Sequence, residues 1–373
     1  MSTKKNVFVF ALMTACLAFT TVQAKVNIQP LSKPITIVEQ GSFAAGGTVL
    51  KNKGKFDPYK MGPEGQTLHG DHAYVFYQVP QNASGLPLVF LHGAGQSGKT
   101  WETTPDGREG FQTIFLRKGY PVYLVDQPRR GRAGNSTVDS QLVATPMDQT
   151  WFDTFRVGMY PDYFDNAAFP RDKESLNQYF RQITPNTGAY DPAVISDAMT
   201  TVFEQSGDGV LITHSQGGGI GWLTAIKSSH VKAIISYEPG SGFVFPKGEV
   251  PADMPALTGA LKGEPISSED FKKLTRIPIV IYYGDNIPKD GDEAAKNPGQ
   301  DNWRVRVKMA KLFVEKINSM GGHAELVMLP EHGLKGNTHF PFSDLNNEKV
   351  ADLMQQFLVN NKLVSCNIDN CVI

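Results

Sequence analysis

The chain has 373 residues, with 36 basic and 37 acidic side chains and a formal net charge of −1. This balance gives no electrostatic footing to a nucleic-acid surface, which needs clustered positive charge. The length suits one large domain with a sizeable insertion, enough to bury an extended core.

At the N-terminus, Lys4 and Lys5 precede an apolar run over 7–22, and Val22-Gln23-Ala24 follows before Lys25. A positive start, a short apolar stretch and small residues at a cut site predict a secretory signal peptide over 1–24. The run is short for a bilayer span and is interrupted by Thr14, Thr20 and Thr21. Lipid attachment at Cys16 fits less well, because Met13 is a poor upstream residue and apolar residues continue past it. Removal of 1–24 leaves 34 basic and 37 acidic side chains, a formal charge of −3. No later stretch has the apolar length of a membrane span, so residues 25–373 are expected to be soluble and secreted or periplasmic. Two cysteines remain in the tail 362–373, Cys366 and Cys371. In an oxidising compartment a disulfide there would close a small loop worth about 2 kcal/mol at most.

Apolar runs at 35–39 and 73–79 predict two strands around a Gly/Lys-rich stretch, 46–55. Continuous Val/Ile/Leu-rich runs follow at 86–91, 121–125, 210–213, 231–236, 277–283 and 325–329. Runs of that kind suit strands buried on both faces of a parallel sheet. Val305, Met309, Leu312, Phe313, Ile317 and Met320 make one helical stripe, and Val350, Leu353, Met354, Phe357 and Leu358 another. The alternation predicts an α/β fold: a mostly parallel central sheet covered by helices on both faces. Residues 137–190 break it, carrying aromatics such as Trp151, Phe152, Phe155, Tyr163, Phe169 and Tyr179 without a strand-like run. So long a segment reads as a lid or cap insertion, its aromatics forming a small core or a substrate-binding wall. A second, more polar insertion spans 241–276.

The central chemical signal is Val210-Leu211-Ile212-Thr213-His214-Ser215-Gln216-Gly217-Gly218-Gly219. A strand running into a serine and then a glycine-rich helix start is a nucleophile elbow, which exposes the hydroxyl on a strained turn. The turn needs small residues two positions either side; Gly217 meets that need, whereas Thr213 stands where glycine is usual. The Gln216 amide and one from His92-Gly93-Ala94-Gly95-Gln96, after the 86–91 strand, would form an oxyanion hole. Ala94 is the preferred donor of that loop, with Gly95 next, and His92 reads as a brace.

The run Gly93-Ala94-Gly95-Gln96-Ser97-Gly98-Lys99-Thr100 also matches a phosphate-binding loop, with Asp126 placed like its magnesium-binding acid. Pro105 follows too closely for a long helix aimed at phosphates, and an exported chain meets little nucleoside triphosphate. Cofactor and metal sites are therefore expected to be absent, the eight histidines showing no ligand spacing.

A serine nucleophile needs a base and an orienting acid. For the base, His332 follows the 325–329 strand almost at once, whereas His339 lies in the loop returning over the sheet and is preferred. For the acid, Asp285 directly follows the 277–283 strand, and Glu238 follows the preceding strand in Tyr237-Glu238-Pro239-Gly240. Either could reach the histidine from the sheet's C-terminal edge.

The elbow, the His92-Gly93-Ala94-Gly95 loop, Asp126…Gly131…Gly134 and the order Ser, acid, His resemble the α/β-hydrolase superfamily. More narrowly, Thr213-His214-Ser215-Gln216, Tyr237-Glu238-Pro239-Gly240 and Gly336-Asn337-Thr338-His339 look like the esterase 713-like family of bacterial serine esterases. Arg156-Val157-Gly158 and Thr184-Pro185-Asn186-Thr187-Gly188 look like it too. The resemblance implies a serine esterase with its acid after the sixth strand, tipping the choice to Glu238. It also leaves a homodimer open.

The function expected is hydrolysis of a small-molecule carboxylic ester through Ser215, His339 and Glu238. An amidase or lactone hydrolase on the same residues is the alternative within the class, and a non-catalytic binding protein the alternative outside it. A protein recovered from the extracytoplasmic fraction should begin at Lys25; N-terminal sequencing that finds Met1, or a lipid on Cys16, contradicts the signal-peptide assignment.

Overall fold

The computed structural model describes residues 33–289 and 297–364, so the signal segment and both tail cysteines lie outside the described residues. Within the described residues, eight strands form the main sheet: β1 (Ile37–Ala45), β2 (Ala73–Pro80), β3 (Leu88–Leu91), β4 (Val122–Asp126), β5 (Gly209–His214), β6 (Val231–Tyr237), β7 (Pro278–Tyr283) and β8 (His323–Met328). Their spatial order is β1-β2-β4-β3-β5-β6-β7-β8. β2 pairs antiparallel with β1 and β4; the remaining neighbours are parallel. The first strand runs past the predicted 35–39 because its pairing continues from Ser42 to Ala45 opposite Phe76 to Ala73. Non-local pairing, not apolarity, ends it.

Among the described residues, eight helices accompany the sheet: α1 (Phe111–Arg117), α2 (Asp148–Thr154), α3 (Lys173–Arg181), α4 (Pro192–Ser206), α5 (Gly217–Lys227), α6 (Ser268–Leu274), α7 (Pro298–Ser319) and α8 (Asn347–Asn360). Side chains of successive strand residues point to opposite faces, and here they feed two separate cores. Val89, Leu91, Leu211, Ile279 and Ile281 pack with residues of α4, α5, α6 and α7. Leu88, Phe90, Val210, Ile212 and Val280 pack on the other side with α1 and α8. Every residue of β3 and β5 is buried, which explains their unbroken apolar runs.

The 137–190 insertion contains α2, α3 and a two-residue hairpin, Gly158–Met159 against Asp162–Tyr163. Phe152, Phe155, Phe169 and Tyr179 are buried in the α1/α8-side core, whereas Trp151, Tyr163 and Phe180 are only partly buried against it. Residues 241–276 hold α6 and a short parallel pair, Val244–Pro246 with Glu264–Ile266. Among the described residues, no helix is long and apolar enough to cross a membrane.

Phe313 on α7 meets the rings of Trp222, Phe243, Phe245 and Phe271 at centroid distances of 4.8–6.2 Å. It ties α5, α6 and α7 into one core. Phe313→Ala should lower unfolding free energy by about 3–5 kcal/mol in urea titrations; a loss below about 1 kcal/mol would show that this face repacks freely.

Candidate active site

β5 ends in an elbow at Ser215, whose φ of 54° lies in the left-handed region. Such an angle strains a non-glycine residue and persists only where the surroundings hold it. Here the Ser215 amide donates to the Tyr237 carbonyl (3.0 Å), and the Gly240 amide donates to the Ser215 carbonyl (2.9 Å). The turn after β6 thus clasps the turn after β5. The three glycines that open α5 each face a different wall. A Cβ at Gly217 would lie 2.8 Å from the His92 carbonyl oxygen, one at Gly218 2.6 Å from Pro239 Cβ, and one at Gly219 2.9 Å from Gly242 Cα. Thr213 fits where glycine was expected because Gly221, one turn into α5, faces it: a Cβ there would lie 2.8 Å from Thr213 Cγ2. The Thr213 hydroxyl donates to Ser236 Oγ at 2.8 Å.

The loop after β3 presses on the same serine, a Cβ on Gly93 falling 2.6 Å from Ser215 Cβ. His92 is buried and braces the loop, donating from Nδ1 to the Gly93 carbonyl (2.9 Å) and accepting the Gln127 amide at Nε2 (3.2 Å). Those two bonds require the neutral imidazole, and burial pushes its pKa down to about 4. Ala94 and Gln216 are half-buried at the mouth of the elbow. The phosphate-loop likeness dissolves here: Gly98–Trp101 is a single 3-10 turn, and the Asp126 carboxylate accepts from Gly98 N (2.6 Å) and Arg132 Nε (2.8 Å). Among the described residues, no three His, Cys, Asp or Glu side chains are grouped to hold a metal ion.

Glu238 follows β6, with φ of 52° and no exposed surface. Its Oε2 accepts from His339 Nδ1 at 3.1 Å, and its Oε1 accepts from Arg156 Nη2 (2.6 Å) and the Gly284 amide (2.5 Å). Asp285 does not share that contact. Its carboxylate holds Asn286 N, Asn166 Nδ2 and Gly336 N at 2.7–2.9 Å, bracing the loop that carries His339. His332, itself exposed, ends the 3-10 turn Leu329–His332. Of the alternatives open in the sequence, the structure brings His339 and Glu238 together and leaves His332 and Asp285 apart from them.

His339 is wholly buried and held on all sides. Its amide donates to the Phe155 carbonyl (2.9 Å), and its carbonyl accepts from His214 Nε2 (2.9 Å). Its ring stacks on Phe155 (4.8 Å, 21°) and lies 4.1 Å from the Trp303 ring. With Nδ1 donating to Glu238, Nε2 is left as an acceptor without a partner among the described residues. Burial first, then the charges of Arg156 and Arg306, hold its pKa well below the ordinary value. The Glu238 carboxylate does not reverse this, because Arg156 already offsets its charge at close range.

Sequence reasoning missed the part played by Arg156. The side chain is unexposed, lies 5.1 Å from the Trp303 ring centroid, and donates Nε to the Asp285 carbonyl at 2.9 Å. It comes from the 137–190 insertion, at φ 59° just beyond α2. The available signal was a lone basic residue among Trp151, Phe152 and Phe155. Asp344 was missed as well; it accepts from Thr338 N (2.7 Å) and Thr338 Oγ1 (2.8 Å), next to His339, and burial pushes its carboxyl up to about 7.

Residues 88–307 match the alpha/beta hydrolase family. A solved structure described as a novel bacterial esterase is 30% identical, covers 89% of this chain and 98% of its own, and superposes with a TM-score of 0.70. A protein named "Probable secreted lipase phiG", from a fungal species (strain ATCC 74256), is 27% identical over 317 residues, covering 75% of this chain and 84% of its own. With a family match across more than half its length and a 30%-identical solved relative covered almost end to end, the chain belongs to the alpha/beta hydrolase family.

Proposed function

We propose that the protein is an exported serine esterase that cleaves carboxylic esters through an acyl-enzyme on Ser215. The observation that carries this reading is the pairing of His339 Nδ1 with a buried Glu238, beside a serine held on a strained elbow. Ser215 Oγ attacks the ester carbonyl and passes its proton to the free Nε2 of His339. Glu238 fixes the ring and offsets the imidazolium that forms. The Gln216 and Ala94 amides receive the oxyanion. The alcohol leaves with the proton from Nε2, and water repeats the sequence to release the acid. The names of the relatives, an esterase and a secreted lipase, favour an ester over an amide. Export is supported by the Lys4–Lys5 start and apolar run, and by the word "secreted" in the fungal relative's name.

Three purified variants test the assignment on one p-nitrophenyl ester, with folding checked by circular dichroism. Ser215→Ala should lose at least about 10⁴-fold in kcat, and Glu238→Gln about 10³- to 10⁴-fold. Asp285→Asn, which loosens the loop but leaves the His339 contact, should stay within about tenfold of wild type. Collapse in Asp285→Asn with an active Glu238→Gln would move the acid to Asp285.

The pH profile follows from the lowered pKa of His339. The base works only when neutral, so kcat/KM should hold through pH 6.5 and fall only as pH drops through that depressed value. Arg306→Gln removes one of the charges that hold His339 neutral, so the acid limb should move upward. Arg306 donates to the Gly240 and Asn302 carbonyls, not to Asp344, so a limb set by Asp344 would stay in place. An unmoved limb in this variant counts against His339 as the titrating base.

A further inference from the structure

Arg130, just beyond β4, is only 1% exposed and forms no ion pair among the described residues. The nearby carboxylate of Asp126 is taken up by Arg132 instead. A buried guanidinium with no carboxylate in direct contact, only the more distant charge of Asp126, is costly and calls for a reason. Its donors go to the loop after β3: Nη1 lies 3.2 Å from the Gly93 carbonyl and 3.0 Å from the Gln96 carbonyl. Nε donates to Asn186 Oδ1 at 2.6 Å, and the neighbouring Thr184 amide takes the Gly95 carbonyl at 2.9 Å. Three carbonyls of one short loop are therefore held: Gln96 by Arg130, Gly95 by the Thr184 amide, and Gly93 by Arg130 together with His92 Nδ1.

The direction of those bonds matters because a trans peptide unit points its C=O and N–H in opposite directions. Holding the Gly93 carbonyl back turns the Ala94 N–H the other way. Gly93 and Gly95 (φ 65°) make a flip of these planes easy, and a flipped carbonyl would repel a developing oxyanion. A donor-only cation can hold several carbonyls at once; here Nη1 holds two while Nε reaches Asn186, a spread over two nitrogens that lysine's single ammonium does not offer.

We propose that Arg130 is a positioning residue for the oxyanion site, locking the peptide planes of 93–97 so that amides face the substrate over Ser215. This rests on the acyl-transfer reading above and extends it to a residue that touches no substrate. Burial lowers the pKa of Arg130 only to about 10, so the side chain is a cation throughout the working range.

The test uses full-length mature protein and phenylboronic acid. Boron accepts the Ser215 oxygen, the serine proton passes to His339, and a boron-bound oxygen takes the place of the oxyanion. Arg130→Met should lose about 10²-fold in kcat, with KM within about threefold. Its boronate affinity should fall in parallel, while the melting temperature and the final stoichiometry of fluorophosphonate labelling stay near wild type. Arg130→Lys should recover part of the loss. If Arg130→Met does not fold, Asn186→Ala, which removes only the Nε acceptor, must show a smaller loss of the same kind. Wild-type boronate affinity in whichever of these variants folds overturns the role of Arg130 alone. A wild-type protein that neither labels at Ser215 nor binds the boronate overturns the acyl-transfer reading, and this role with it.

Discussion

A carboxylate cannot be buried without partners, and Glu238 has no exposed surface. It meets that constraint with three donors drawn from three places: Arg156 of the insertion, the Gly284 amide beyond β7, and His339 of the loop after β8. Each donor must arrive for the charge to be tolerated, so the site is assembled by the same contacts that make its acid admissible. Ser215 joins through backbone, since β5 and β6 are neighbours and their turns exchange hydrogen bonds. That adjacency also explains why Glu238 rather than Asp285 meets His339. A carboxylate at the end of β6 sits beside the elbow at Ser215, and the longer glutamate side chain reaches His339 Nδ1.

The 137–190 insertion is part of this assembly. Beyond Arg156, it lends the Phe155 ring and carbonyl to His339, and the Thr154 carbonyl accepts from Trp303 Nε1 at 2.7 Å. At Gly336, a Cβ would fall 1.6 Å from the Asn166 carbonyl oxygen, so the chain of the insertion crosses the histidine loop where only glycine leaves room. Gly284 is needed on similar grounds, a Cβ there lying 2.6 Å from the Asn337 carbonyl oxygen. Backbone strain gathers at the same contacts: Ser215, Glu238 and Arg156 have φ of 54°, 52° and 59°. Packing around the buried charge is what holds three non-glycine residues in that region.

Much of this was legible in the one-dimensional pattern, and for local reasons. Unbroken runs such as Val210–Thr213 report burial on both sheet faces, and a strand meeting Ser215 and three glycines reports a tight turn. The doubtful threonine at 213 was harder. Its tolerance depends on Gly221, eight positions on, whose missing side chain becomes informative only when α5 lies across β5.

What the sequence determined by itself is therefore the alternation of strands and helices, the elbow at Ser215 and a short set of acids and histidines, because periodicity and turn chemistry act between near neighbours. The tertiary structure alone decided which of them meet. Asp285 and Glu238 both stand at strand ends, and the choice between them depends on which carboxylate faces His339 and which holds Gly336 and Asn166. Arg156 lies 82 residues from Glu238 along the chain, and no local pattern carries a pairing of that range. It exists because a buried negative charge draws in whichever cation the folded chain can deliver.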